Sequence, residues 1–212
     1  MIISEQKQQK LLHLMTPQRY EKLMEILNNR SSHITAVAEN FYNPSNVAAL
    51  LRTIDATGFT DLYALEYYNR FDKNVRVSRG SEKWVNIHKY KKTDECFKAL
   101  RDKGYRIYYA DPDPANPDID TLPLDKKVAI LFGQENPGVS DRTKEIADGG
   151  FRIPMRGFVG SFNVSVSAAI TLFTLRNRLE KEIKNYKLDA DEKQALFNFW
   201  LKKNYNKTLE EV

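Results

Sequence analysis

Apolar positions along this chain recur with two different periods, and the switching between them predicts the architecture. Leu11, Leu12 and Met15, then Tyr20, Leu23, Met24 and Leu27, keep helical spacing over 4–29. The pattern restarts at Thr16-Pro17, a capping hydroxyl followed by a proline at the first helical position. Residues 34–38 predict a short apolar strand. Turn residues at 43–46 lead into Val47, Leu50, Leu51 and Ile54, a helix ended by Gly58. Residues 62–65 predict a strand, 94–103 a helix stopped by Gly104, and 105–110 a strand running into a proline-rich loop at 111–117. The most apolar run, 128–132, suits a central parallel strand buried on both faces. A short helix over 141–147, a strand over 151–154, a long helix over 163–184 and a last helix over 189–204 follow. Strands alternating with helices predict an α/β fold with a mostly parallel sheet flanked by helices. The purely helical ends set apart an N-terminal extension, 1–32, and a C-terminal extension, 185–212, from a core domain over 33–184.

Composition narrows the class. The 212 residues, 42% of them hydrophobic, are enough for one sizeable core and exclude wholesale disorder. No apolar run approaches the ~18 residues that a membrane helix needs, and the N-terminus turns polar after three residues. The expectation is a soluble cytoplasmic protein with no membrane partner. A single cysteine, Cys96, excludes an internal disulfide framework, and the dispersed His13, His33 and His88 provide no metal site.

Charge changes the picture more by its distribution than by its total. The chain carries 33 Lys+Arg against 28 Asp+Glu, a net +5. Residues 69–93 alone hold Arg70, Lys73, Arg76, Arg79, Lys83, Lys89, Lys91 and Lys92 against Asp72 and Glu82, a local +6. Tyr67, Tyr68, Trp84 and Tyr90 lie within or beside the segment, so stacking surfaces alternate with cations as a nucleic-acid surface requires. A solvated lysine-rich loop has the same composition, and both readings stand at this point.

Several sites are denied. Residues 133–140 follow a strand with the glycine spacing of a phosphate loop, but Val139 occupies the position of the obligatory lysine. No dinucleotide glycine pattern follows a strand, and no nucleophile elbow or HExxH zinc motif occurs. The acidic loop at 111–118 lacks the glycine and distal glutamate of a calcium loop.

Three segments carry unusual polar content. In 43–53, Asn46 begins a helix whose next turns carry Arg52 beside a continuously apolar face. In 131–138, a buried strand ends in the loop Gly133-Gln134-Glu135-Asn136-Pro137-Gly138. In 153–169, a loop with Gly157 and Gly160 delivers Ser161 and Asn163 to a helix N-terminus. The third segment taken singly is a turn plus helix caps. In open parallel sheets, ligands bind beyond the carboxyl ends of strands, where the second and third segments both lie.

The ordered set resembles the SpoU (SPOUT) class of RNA ribose 2′-O-methyltransferases, and among them the branch that methylates guanosine 18 of tRNA. The likeness covers nearly the whole chain. Residues 78–85 resemble that branch's own insert, and 16–20 and 191–201 its helical extensions. The resemblance implies a deep trefoil knot, a homodimer whose active sites borrow residues across the interface, and S-adenosylmethionine as cofactor, with tRNA as partner and no metal. Carried over by motif, the cofactor site is Ala110, Gly133, Ile153, Met155 and Phe162, the last replacing the family's usual leucine. Arg52, Asn46, Glu135, Ser161 and Asn163 fall at the catalytic positions. Arg52 is sometimes assigned as the base, but guanidinium stays protonated in proteins. The physical expectation is that Arg52 clamps the neighbouring phosphate while that phosphate, or a briefly deprotonated Arg52, takes the hydroxyl proton. Asn46 is expected to hold Arg52 and the ribose, Asn163 to position the nucleotide, Ser161 to bond near it, and Glu135 to brace the loops. RNA contacts are expected from Arg79, Lys83, Lys89, Lys91 and Lys92. Arg176 and Arg178 join them, one residue out of the family's register. The alternatives are another RNA target, ribosomal or at the tRNA wobble position, and a non-catalytic RNA-binding paralogue.

Overall fold

Every strand in the sheet points the same way. Among the residues described by the computed structural model (5–68, 80–207 and 210–211), β1 (Ile34–Glu39), β2 (Asp61–Leu65), β3 (Asn86–Tyr90), β4 (Arg106–Ala110), β5 (Val128–Phe132) and β6 (Gly149–Phe151) form one sheet. Their order is β3-β2-β1-β5-β4-β6, and all five neighbouring pairs are parallel. The helices are α1 (Glu5–Leu12), α2 (Pro17–Asn28), α3 (Pro44–Ala56), α4 (Thr93–Asp102), α5 (Asp141–Ile146), α6 (Val164–Glu182) and α7 (Ala190–Tyr205).

The period of two in the strands sorts the core into layers. Val128, Ile130 and Phe132 face α3 and α6, where they meet Leu50, Leu51, Ile54, Leu172, Leu175 and Leu179. Ala129 and Leu131 face the other way, toward Cys96, Phe97 and Leu100 of α4. Both layers cover β1 and β5, which explains why these strands have no exposed face. Burial in the α4 layer pushes the Cys96 thiol up to about 12, leaving it unreactive. A third cluster belongs to the terminal helices: Leu11, Met15, Tyr20, Leu23 and Leu27 pack on Leu196, Phe197, Trp200 and Leu201. The Thr16 side chain caps α2 by accepting from the Arg19 amide, and Asp189 with Glu192 forms a reciprocal capping box at the start of α7.

Two strands differ from the sequence expectation. β3 lies inside the stretch read only as a cationic segment. Ile87 is its one aliphatic residue, and it pairs with β2 from Asp61↔Asn86 to Leu65↔Tyr90. An edge strand is held by a single ladder and tolerates lysine, so no apolar alternation announces it. The last strand is Gly149–Phe151 rather than 151–154, in register with Tyr108, Tyr109 and Ala110. A Cβ on Gly150 would lie 2.5 Å from Asn116 Oδ1 and 2.7 Å from Tyr109 Cε2, so these side chains would have to shift to admit one. Of the expected RNA contacts, Arg79 lies outside the described residues, as do Arg70, Lys73 and Arg76.

Candidate active site

The carboxyl ends of β4 and β5 open onto a cavity of about 540 Å³. All five residues expected at the cofactor site, Ala110, Gly133, Ile153, Met155 and Phe162, line it, together with Glu135, Ser161 and Asn163. Its shape depends on the loop after β5. The Gln134 amide donates to the Gly138 carbonyl at 3.1 Å, and Gly138 takes φ +96°. A Cβ on Gly133 would lie 2.4 Å from the Gly138 carbonyl carbon and 2.5 Å from the Val139 nitrogen, so only glycine lets the two ends of the loop meet.

Two supports behind the loop were not legible in the sequence. Asn40, 2% exposed and in the left-handed region at φ +52°, donates from Nδ2 to Gln134 Oε1 at 3.0 Å and accepts from the Tyr68 amide. Glu39 is fully buried, and it accepts from the Ser140 amide (3.0 Å), Ser140 Oγ (2.5 Å), Thr143 Oγ1 (2.8 Å) and Tyr67 Oη (2.9 Å). Four donors satisfy the carboxylate and fix the start of α5 against the pocket wall. At the cavity wall, Lys144 pairs with Asp111 at 2.6 Å. Burial alone would raise the Asp111 carboxyl, but the bonds from Lys144 and the Asp113 amide outweigh it and hold it below the usual range.

The polar motifs meet through one chain of bonds. Asn46 Nδ2 donates to Glu135 Oε1 at 2.5 Å, and Asn163 Nδ2 donates to Asn46 Oδ1 at 3.3 Å. Asn163 also caps α6, its Oδ1 accepting from the Ser165 amide and hydroxyl. Glu135 Oε2 is buried and has no hydrogen-bond partner among the described residues.

Arg52 is not part of this chain. It is exposed on α3, six residues and about 9 Å along the axis from Asn46, and makes no hydrogen bond or ion pair among the described residues. The expectation that Asn46 holds Arg52 is therefore corrected: the Asn46 amide is taken by Glu135 and Asn163.

The expected RNA contacts divide. Lys83, Lys91 and Lys92 are exposed, Lys92 in a loose pair with Glu95 at 3.4 Å. Lys89 is tied to Glu66 at 2.5 Å. Lys91 and Lys92 follow β3 at the same end of the parallel sheet as the cavity. Arg176 and Arg178 are tied within the chain. Arg176 bonds Glu180 and the Asn29 carbonyl, and Arg178 bonds Glu182 and the Ile119 carbonyl. Their side chains are only 12% and 19% exposed, because α6 packs on the core along this length.

Fold and site together define an α/β protein that binds a small ligand in a glycine-shaped loop at the carboxyl ends of a parallel sheet. A family model described as the SpoU rRNA Methylase family matches residues 33–173, and the chain belongs to that family. It is 33% identical to the tRNA (guanosine(18)-2′-O)-methyltransferase of Borreliella burgdorferi over 88% of this chain and 85% of the relative. With the protein of the same name from Thermus thermophilus it shares 34% identity, over 89% of this chain and 98% of the other. The crystal structure of the Aquifex aeolicus TrmH/SpoU tRNA modifying enzyme superposes with a TM-score of 0.80 at 28% identity, covering 90% and 98% of the two chains.

Proposed function

We propose that the protein transfers a methyl group from S-adenosylmethionine to the ribose 2′-hydroxyl of guanosine 18 in the D-loop of tRNA, in the cytoplasm. The observation that carries the reading is the convergence of all five motif-assigned cofactor positions on one cavity, in a chain whose likeness to the tRNA enzymes extends into both helical ends.

The residues fit the cofactor. A cavity of about 540 Å³ falls within the range of small-molecule sites. Gly133, Ile153, Met155 and Phe162 line one part of the cavity, and Asp111 and Lys144 offer opposite charges for an amino-acid end. When bound there, S-adenosylmethionine supplies an electrophilic methyl on a sulfonium. The chain's own contribution is alignment. Asn163 and Ser161 hold the nucleotide at the start of α6, and Glu135, bonded through Oε1 to Asn46, braces the motif loops. Arg52 clamps the phosphate beside the target ribose and orients its hydroxyl.

The exposure of Arg52 supports a site completed in a homodimer. Val166 and Phe173, 44% and 62% exposed, lie on one stripe of α6, and Phe158, Val159 and Phe162 continue apolar exposure from the adjoining loop. An isologous pair of such faces would bury this surface and bring cations to the cavity. A deep trefoil knot near the 153–169 segment belongs to the same reading. So does the division into 1–32, 33–184 and 185–212, supported by the separate apolar cluster of the terminal helices.

The test is mass-spectrometric mapping of ribose methylation in tRNA after incubation with labelled cofactor, with sedimentation of the same sample. Label at another nucleotide, or in ribosomal RNA alone, would overturn the substrate assignment. A fully active 24.6 kDa monomer would overturn the dimer.

A further inference from the structure

A second cavity lies at the other end of the molecule. Arg30 and Asp55 line it close to the amino ends of β1 and β2, and Trp84, Trp200, Leu23 and Ile26 complete its walls. The strands between this place and the catalytic cavity are five to six residues long, a separation on the order of 20 Å. The volume is about 150 Å³, too small for a whole cofactor and enough for one ring system.

Its construction is specific. Trp84 and Trp200 meet edge to face with ring centroids 5.5 Å apart, and Trp200 Nε1 donates to the Trp84 carbonyl at 3.0 Å. The Arg30 guanidinium lies 5.3 Å from the Trp200 ring centroid and is paired with Asp55. Arg30 is only 2% exposed: Nη1 donates to the Asp55 and Phe59 carbonyls and Nη2 to the Asp55 carboxylate, so it fixes the floor of the slot, and its Nε is buried without a hydrogen-bond partner among the described residues. Arg19 and Lys22 of α2 also line the cavity. Ile26 remains 39% exposed beside it. Aromatic and aliphatic walls with an arginine–carboxylate pair and adjacent cations match one kind of occupant. They suit a flat heteroaromatic ring with polar edges, attached to a phosphate chain.

We infer that this slot binds a single unpaired nucleobase of the RNA substrate, anchoring it far from the reacting ribose. The inference rests on the tRNA reading above and deepens it. A base inserted there packs against Trp84 and Ile26, presents its edge to the Asp55 carboxylate, and brings its flanking phosphates to Arg19 and Lys22, while the buried Arg30 and Trp200 hold Asp55 and Trp84 in place from the core side. The substrate is thereby held at two separated points, and the second involves no cofactor.

The chain has two tryptophans, and both line this slot, so their emission reports on it alone. Titration with tRNA is expected to quench that emission saturably, and a blunt, fully paired RNA duplex is expected not to. Base stacking on an aromatic side chain is sensitive to its loss by roughly 5- to 150-fold in affinity. Trp84→Leu should therefore raise the tRNA dissociation constant within that range, leave turnover at saturating tRNA and cofactor affinity unchanged, and be largely rescued by Trp84→Phe. Should Trp84→Leu fail to fold, Ile26→Glu at the exposed rim tests the same slot and should weaken tRNA binding at least about 5-fold. Unchanged emission at saturating tRNA, equal quenching by the duplex, or an unchanged dissociation constant in Ile26→Glu would overturn the inference. A wild-type protein that transfers no methyl group to tRNA would overturn the parent reading instead.

Discussion

Replacing Gly133 by alanine adds one carbon at the narrowest place in the site. The added Cβ would stand 2.4 Å from the Gly138 carbonyl carbon, 2.5 Å from the Val139 nitrogen and 2.7 Å from the Gly138 oxygen, against 3.4 Å or more in ordinary contact. All three atoms are backbone, so no side chain can turn away, and one end of the 133–138 loop has to retreat by about 1 Å. That movement opens the Gln134 amide to Gly138 carbonyl bond of 3.1 Å and displaces Glu135, whose Oε1 is held by Asn46 at 2.5 Å. Overpacking of this kind costs about 1–3 kcal/mol, and in a chain of this size each kcal/mol lowers Tm by roughly 2–4 °C. The fold should survive, because β5 and its neighbours are untouched. A displacement of about 1 Å at a positioning loop is worth on the order of 100-fold in rate. Isothermal titration should therefore show cofactor affinity weakened at least about tenfold, with far-ultraviolet circular dichroism unchanged. A Gly133→Ala protein that bound S-adenosylmethionine within twofold of wild type would refute the placement of the cofactor against this loop.

Arg52→Ala should abolish methyl transfer while leaving cofactor binding nearly intact, since Arg52 does not line the cavity. Arg52→Lys should fail as well, because a point charge cannot reproduce a planar fork; substantial turnover by either variant under saturating conditions would remove Arg52 from the mechanism. Neutralising Lys91 and Lys92 should weaken tRNA binding and reduce the log–log salt slope by about 0.7–0.9 per lost phosphate contact, whereas adding Lys89→Ala should contribute less, its ammonium being held by Glu66. An unchanged slope would mark these lysines as a solvated face. Burial would raise the Asp61 carboxyl, but hydrogen bonds from His88 (2.7 Å) and Thr60 outweigh it and lower it below its ordinary value. Its ionised form therefore stabilises the fold above about pH 4, and that stabilisation is lost as pH falls further, through the depressed value. Chemical denaturation across pH 2–6 should show Asp61→Asn less stable at neutrality and less steeply weakened by acid; parallel curves would contradict the linkage.

Local signals were strong enough to determine most elements from the sequence alone. The apolar run of β5, the Thr16-Pro17 start of α2 and the helix ends at Gly58 and Gly104 each depend on residues within one turn or one strand, and the structure contains all of them. The pocket residues were legible for a related reason. Gly133, Ile153, Met155 and Phe162 sit in short motifs whose order along the chain carries the family likeness, and the sheet brings those motifs together. What tertiary structure alone decided are the pairings between distant positions. Asn46 meets Glu135 across 89 residues, Asn163 meets Asn46 across 117, and Glu39 meets Ser140 across 101. No periodicity marks such bonds, because each partner looks locally like a cap or a strand terminus. The same limit explains β3, an edge strand specified by its ladder with β2 rather than by its own side chains. It explains Arg176 and Arg178 too. In sequence they are a basic pair at a helix end, and only the packing of α6 against the Asn29 and Ile119 carbonyls turns them inward.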